Sequence, residues 1–168
     1  MNMAQITTKY QFEEPSLDLV KHGQLSDIRG IRTLFQDEEC PNSENKFTDI
    51  DKGIYLDSIQ TRISQRKGVK EKSSMDFALC IINHKVILVD AKFKVKSVDN
   101  IGKKDIDEKI KDSRDILCLV DYSLLNKYYI LFRNSVLNHA QKNKIQRQFL
   151  MSPSYVFMTA SEFYDLFE

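Results

Sequence analysis

The chain has 168 residues, of which 42% are hydrophobic and 29% charged, and its formal net charge is +1. That length and balance fit one folded domain, 1–168, with a sizeable core. No run of 18 apolar residues occurs, which excludes a transmembrane helix, and residues 1–14 lack the apolar core of a signal peptide, so a cytoplasmic protein without membrane contact is expected.

Residues 1–48 read as a helical N-terminal extension. Ser16 is placed to cap a first turn with Leu17 and Val20 on one face. Ser26 and Asp27 then start a second helix whose buried side carries Ile28, Ile31, Leu34 and Phe35. Pro41, Asn42 and Ser43 break any period, so 37–46 is a loop. Ile54, Tyr55, Ile59 and Ile63 recur at helical spacing and predict a helix over 52–66, ended by Gly68. After the central hairpin, 103–114 is a predicted helix with Ile106 and Ile110 inward and Asp105–Lys109 and Asp107–Lys111 as exposed pairs one turn apart. The run 116–120 fits either continued helix or a buried strand, and helix is preferred. Residues 128–132 form a strand. Asn134 or Ser135 caps a helix reaching Gln148, 154–158 is the last strand, and Thr159 with Glu162 makes a capping box before a short final helix. The core is therefore expected over about 50–133, followed by a helix–strand–helix unit over 134–168. The order of elements predicts an α/β sandwich with a mixed sheet.

The informative stretch is 73–96. Two apolar runs, 77–82 and 86–89, flank Asn83, His84 and Lys85, which is the pattern of a β-hairpin. Asp76 precedes the first run, Asp90 ends the second, and Lys92 follows two residues later. Strand periodicity places Asp90, Lys92, Lys94 and Lys96 on one face, with Ala91, Phe93 and Val95 on the other. A loop of residues 83–85 would set Ala78 opposite Asp90 and Asp76 opposite Lys92, leaving the two aspartates as diagonal neighbours roughly 7–8 Å apart. Two carboxylates and an ammonium at the end of a buried strand pair suit a hard cation such as Mg²⁺. The chain's other acid-x-lysine triplets, Glu44-Asn45-Lys46 and Asp107-Glu108-Lys109, do not end an apolar run.

Asp76, thirteen residues, then Asp90-Ala91-Lys92 resembles the core motif of the PD-(D/E)XK, or restriction-endonuclease-like, nucleases. The resemblance covers roughly 70–96, and Met75 stands where the motif has a proline. It implies a three-layer α/β/α sandwich with a central mixed sheet, and a short strand near 69–72 joining the preceding helix to the hairpin. It implies Asp76, Asp90 and Lys92 as catalytic residues, and Mg²⁺, replaceable by Mn²⁺, held by Asp76, Asp90 and the Ala91 carbonyl. A further acid from the helix before the hairpin is implied too. Glu44, Asp49, Asp51 and Asp57 are the candidates, and Asp51 is preferred.

Charge is uneven along the chain. Residues 1–60 are acidic on balance and 61–168 basic, with Arg66, Lys67 and Lys70 before the hairpin and Lys94 and Lys96 after it. A basic rim about an acidic metal site is what a polyanion such as DNA needs. The expected activity is metal-dependent hydrolysis of DNA phosphodiesters, in a restriction, repair or mobile-element setting. A non-catalytic member of the fold that binds nucleic acid or protein is the alternative. A homodimer is the arrangement that would let two sites cut both strands of a duplex. Cys40, Cys80 and Cys118 form no close pair, and His22, His84 and His139 are scattered, so neither a disulfide framework nor a zinc site is expected.

Overall fold

Six strands in sequence order make one mixed sheet in a computed structural model that describes residues 8–168. The polar reading of positions 1–7 lies outside those residues. Strands β1 (Ile28–Gly30), β2 (Lys52–Tyr55), β3 (Phe77–Ile81) and β4 (Lys85–Lys92) run antiparallel to their neighbours. Strands β5 (Ser123–Phe132) and β6 (Tyr155–Thr159) then add in parallel. Parallel neighbours need crossover connections, which α3 (Lys103–Ile116) and α4 (His139–Gln148) supply. Helix α1 (Ile31–Asp37) lies between β1 and β2, α2 (Leu56–Lys67) between β2 and β3, and α5 (Ala160–Tyr164) follows β6.

Both sheet faces are covered. On one, Ala78, Cys80, Val86 and Leu88 pack against α2, α3 and α4 through Ile59, Ile106 and Ile145. On the other, Phe77, Leu79, Ile87 and Val89 meet Phe35 of α1 and Phe163 of α5. Strand β3 is buried at every position, as its unbroken apolar run requires. Burial also pushes the Cys80 thiol up to about 12, making it an inert core group.

Three helical expectations give way to strands or coil. Residues 52–55 pair with β1 and β3 rather than starting a helix, so α2 begins only at Leu56. Gly53 allows this close approach: a Cβ there would lie 2.5 Å from Leu79 Cδ2. The chain over 69–75, including the strand expected near 69–72, is not a strand; the strand beside β3 is β2, which lies before α2. Helix α3 stops at Ile116, where Leu117 turns extended, so 116–120 does not continue it. In the N-terminal part, Ser26 and Asp27 belong to a short 3-10 turn, Leu25–Asp27, and Ile28 enters edge strand β1 before α1 begins. Ser16 does cap a first turn, but a 3-10 one, Leu17–Leu19. The cap of α4 is Asn138 rather than Asn134 or Ser135. The Gly68 C-cap, in the left-handed region at φ +62°, and the Thr159–Glu162 capping box stand as expected. Among the described residues no helix is long and apolar enough to cross a membrane.

Asp27 ties this N-terminal segment to α2. Its carboxylate accepts from Ser58 Oγ at 2.6 Å, Arg62 Nη2 at 2.8 Å and the Gln24 amide at 2.7 Å. Burial alone would raise its pKa, but Arg62 and Ser58 hold it below the ordinary value of 3.8. A depressed folded-state pKa adds stability above the unfolded value, and that stability is lost as pH falls through the folded one. Asp27→Asn should therefore cost about 1–3 kcal/mol at pH 7. The gap to wild type should narrow as urea denaturation is repeated below pH 3.8; a constant gap would show that the charge is not the source.

Candidate active site

The hairpin turn is Ile82-Asn83-His84, with Ile81 opposite Lys85. Asn83 and His84 both take positive φ, at 69° and 55°, a conformation Asn tolerates better than most residues. This sets Ala78 opposite Leu88, a register two residues from the one a turn of 83–85 would give. A shift of two preserves the face of every side chain. It also brings Asp76 level with Asp90, because Phe77 pairs with Val89, so the aspartates face each other directly instead of diagonally.

Asp90 is fully buried on the face that carries Val86 and Leu88. Its Oδ2 lies 2.9 Å from Lys92 Nζ, and its Oδ1 accepts from Lys109 Nζ at 3.1 Å. The Lys92 contact is an ion pair without a well-directed hydrogen bond, and Oδ2 has no other partner among the described residues. Asp76 is 7% exposed, and its Oδ2 accepts from the Ala91 amide at 2.7 Å. The Leu56 amide donates to the Asp76 carbonyl at 3.0 Å, which fixes the start of α2 beside the hairpin. Asp57, in the first turn of α2, is thereby delivered to the centre and accepts from Ser74 Oγ at 2.9 Å. Glu38, which caps the C-terminus of α1, reaches the same place from the opposite layer.

Oxygens of Glu38, Asp57 and Asp76 lie within 4.8 Å of one another. Three carboxylates this close cannot all ionise freely. Burial, then the charges of Asp90, Glu38 and Asp57, push Asp76 well above the ordinary carboxylate value. Burial likewise raises Asp57, with Asp90 adding to it, and raises Glu38, with Asp57 adding to it. For Lys109, burial opposes the charged form, but Asp90 and Asp76 outweigh it and hold the ammonium above the ordinary lysine value. The site is thus a pool of negative charge with two ammonium groups beside it, at the junction of α1, α2, α3 and the hairpin.

Asp76, Asp90 and Lys92 lie together at the strand ends, and the Ala91 group that meets Asp76 is its amide rather than its carbonyl. Asp51 does not belong to the carboxylate cluster; it sits in a bend before β2, where its carbonyl accepts the first amide of α1. The helical acid is Asp57, because α2 starts four residues later than the apolar spacing suggests. Asp49 instead accepts from the Thr33 amide and hydroxyl, and Glu44 from the Asn134 amide. Glu38 lies in the acidic run 37–39 that reads as loop, and only its tertiary position marks it. Lys109 is not an exposed partner of Asp105. The ion pair on that helix is Lys103–Asp107, and Lys109 turns inward to Asp90. A signal was available: Ile106, Lys109, Ile110 and Ser113 form one stripe at helical spacing, so Lys109 shares the buried side.

Arg66, Lys67, Lys70, Lys94 and Lys96 are all exposed. Lys67 and Lys70, with Lys21 and Lys72, line a cleft of about 200 Å³ between α2 and α3 that shares no residue with the carboxylate cluster. Lys94 lies near enough to Glu38 to offset part of the rise in its pKa. Arg62, by contrast, is spent on Asp27 and the His22 carbonyl.

No family model matches this chain, and neither the curated proteins nor the solved structures contain a match to it.

Proposed function

We propose that this protein is a divalent-cation-dependent nuclease that hydrolyses phosphodiester bonds in DNA, of the PD-(D/E)XK type. The observation that carries the reading is the convergence of Asp76, Asp90 and Lys92 at the ends of adjacent strands, with Asp57 and Glu38 grouped about Asp76 and Asp90 held beside them by Lys92 and Lys109. The order of elements supports it. Helix, three strands, helix, strand is traced by α1, β2, β3, β4, α3 and β5, with α2 inserted between β2 and β3.

The donor set fits a hard cation such as Mg²⁺, with Mn²⁺ as a substitute. The oxygens are carboxylates, they are crowded enough to resist ionisation without a counter-charge, and Asp90 Oδ2 is buried without a directed hydrogen bond. Asp76, Asp90 and the Ala91 carbonyl would hold the ion, with Asp57 and Glu38 in the place first given to Asp51. When bound, such an ion lowers the pKa of a ligated water and neutralises a phosphate oxygen. Lys92, whose side chain is 20% exposed at the strand end, would orient the attacking water and stabilise charge growing on the phosphate. Lys94 would add positive charge beside the centre, while Arg66, Lys67, Lys70 and Lys96, exposed elsewhere on the surface, would serve the DNA backbone at a distance from it.

The test is incubation of purified protein with plasmid in Mg²⁺, in Mn²⁺ and in chelator, with Asp57→Asn and Asp51→Asn beside the wild type. Cleavage should require a divalent ion. Asp57→Asn should slow it by about tenfold to a hundredfold, while Asp51→Asn stays close to wild type. Plasmid left intact under every ionic condition would remove the nuclease reading. Cleavage that needs Asp51 rather than Asp57 would overturn the assignment of the helical acid.

A further inference from the structure

Lys109 lies outside the hairpin motif, yet of the two ammonium groups beside the motif's second acid it is the one that makes a directed hydrogen bond. It comes from α3, its side chain is 23% exposed, and its ammonium donates to Asp90 Oδ1 at 3.1 Å. Its backbone is fixed: Ser113 Oγ donates to the Lys109 carbonyl at 2.7 Å and accepts from the Met75 amide at 2.8 Å. The helix carrying Lys109 is therefore fastened to the residue that precedes Asp76. Asp90 sits between two ammonium groups, fully buried, while the nearby trio of Glu38, Asp57 and Asp76 has none of its own within ion-pair distance among the described residues. Asp90 Oδ2 remains a buried acceptor with no directed hydrogen bond.

We propose that Lys109 is a tethered counter-ion of the acidic centre, competing with a divalent cation for Asp90 and so setting how tightly that cation is held. The proposal rests on the metal-site reading above. A cation that takes Asp90 must share the space with a positive charge that cannot diffuse away, and like charges a few ångströms apart repel strongly in a partly buried site. The ammonium gives up Asp90 Oδ1 but stays at the centre beside Lys92, where a phosphate oxygen of the substrate is its next partner. Lys109 is thus a positioning residue: it acts through Asp90 and limits the site's affinity for cation in exchange for a second positive charge near the substrate.

Mn²⁺ binding, followed calorimetrically or by electron spin resonance in the absence of DNA, separates this role from a structural one. Lys109→Gln and Lys109→Met, the latter keeping the apolar stem, should each bind Mn²⁺ about tenfold more tightly than wild type. Lys109→Arg keeps the charge and should stay within about threefold of wild type. A structural role would weaken binding in the neutral variants through a loosened site. Unchanged or weaker Mn²⁺ affinity in both neutral variants overturns the proposal, as does an Arg variant that binds as tightly as they do, or a wild type and variants that bind no Mn²⁺. If the neutral variants fail to stay folded in chelator, they are folded and titrated in Ca²⁺ by Mn²⁺ displacement instead, and Lys109→Arg with tenfold tighter binding overturns the proposal on its own. Plasmid cleavage is scored separately. Protein that shows these affinity differences and leaves DNA intact keeps the counter-ion and loses the nuclease reading. Protein that cuts DNA with Mn²⁺ affinity indifferent to residue 109 does the reverse.

Discussion

Lys92→Ala should abolish DNA cleavage while leaving the fold and DNA affinity nearly intact. The Lys92 ammonium lies on the solvent side of Asp90 at the end of β4, so removing it opens no cavity in either apolar layer. Asp90 Oδ1 keeps the hydrogen bond from Lys109, while Oδ2 loses its ion pair. Lys92 is one positive charge among many on this surface, so the phosphate-binding field changes little. What disappears is the group at the water and at the transition state, and such a loss lowers turnover rather than binding. A fall of about 10²–10⁴-fold in single-turnover rate is expected. Asp90→Asn should also stop cleavage, but through weaker cation binding, so high Mn²⁺ should recover some activity there and none in Lys92→Ala. Rates, thermal melts and fluorescence anisotropy on the same preparations check all three properties. Pure Lys92→Ala protein that cuts at the wild-type rate would end the assignment.

Phe35→Ala should be the most damaging single truncation in the layer behind the site. Phe35 is fully buried, with ring centroids 4.9 Å from Phe47, 5.8 Å from Phe77 and 5.7 Å from Phe93. Phe77 follows Asp76 in sequence and Phe93 follows Lys92, so this aromatic cluster backs both strand ends that carry the acidic centre. Deleting the ring forfeits its burial and leaves a void that stiff aromatic neighbours close poorly, a loss of about 3–5 kcal/mol. Against the 5–15 kcal/mol typical of a whole domain, that is enough to leave a visible unfolded fraction at moderate temperature. Urea denaturation should show the midpoint falling with the slope unchanged. A loss below about 1 kcal/mol would mean the layer repacks around the gap.

The hairpin was legible because its evidence is local. An apolar run bounded by an acid, a polar turn, and a second run ending Asp-Ala-Lys depend only on strand alternation. The two-residue difference in register left the faces correct because alternation has a period of two. Asp57, Glu38 and Lys109 were harder to place, since each reaches the centre by a path that depends on other elements. Asp57 needs the pairing of 52–55 with β1 and β3, and that pairing replaces a helix the spacing of Ile54, Tyr55 and Ile59 favours equally well. Glu38 needs the sheet to bring two layers together at one strand end. Lys109 needs a buried carboxylate on a neighbouring strand to outweigh the cost of burying its ammonium, and its own segment carries acids that look like adequate partners. The final capping box, again a local device, stood where the spacing of Thr159 and Glu162 put it.

The Ser113 hydroxyl has a consequence for how the molecule opens. It accepts from the Met75 amide and donates to the Lys109 carbonyl, joining the approach to β3 to the middle of α3 across 38 residues of sequence. Transient detachment of α3 would release the Met75 amide and withdraw Lys109 from Asp90 in one event. The entry to β3 and the third helix should therefore open as a single cooperative unit on the hydrogen-exchange scale, and the protection of the Met75 amide should report the same opening that uncovers Asp90. The acidic centre is as durable as the docking of one helix.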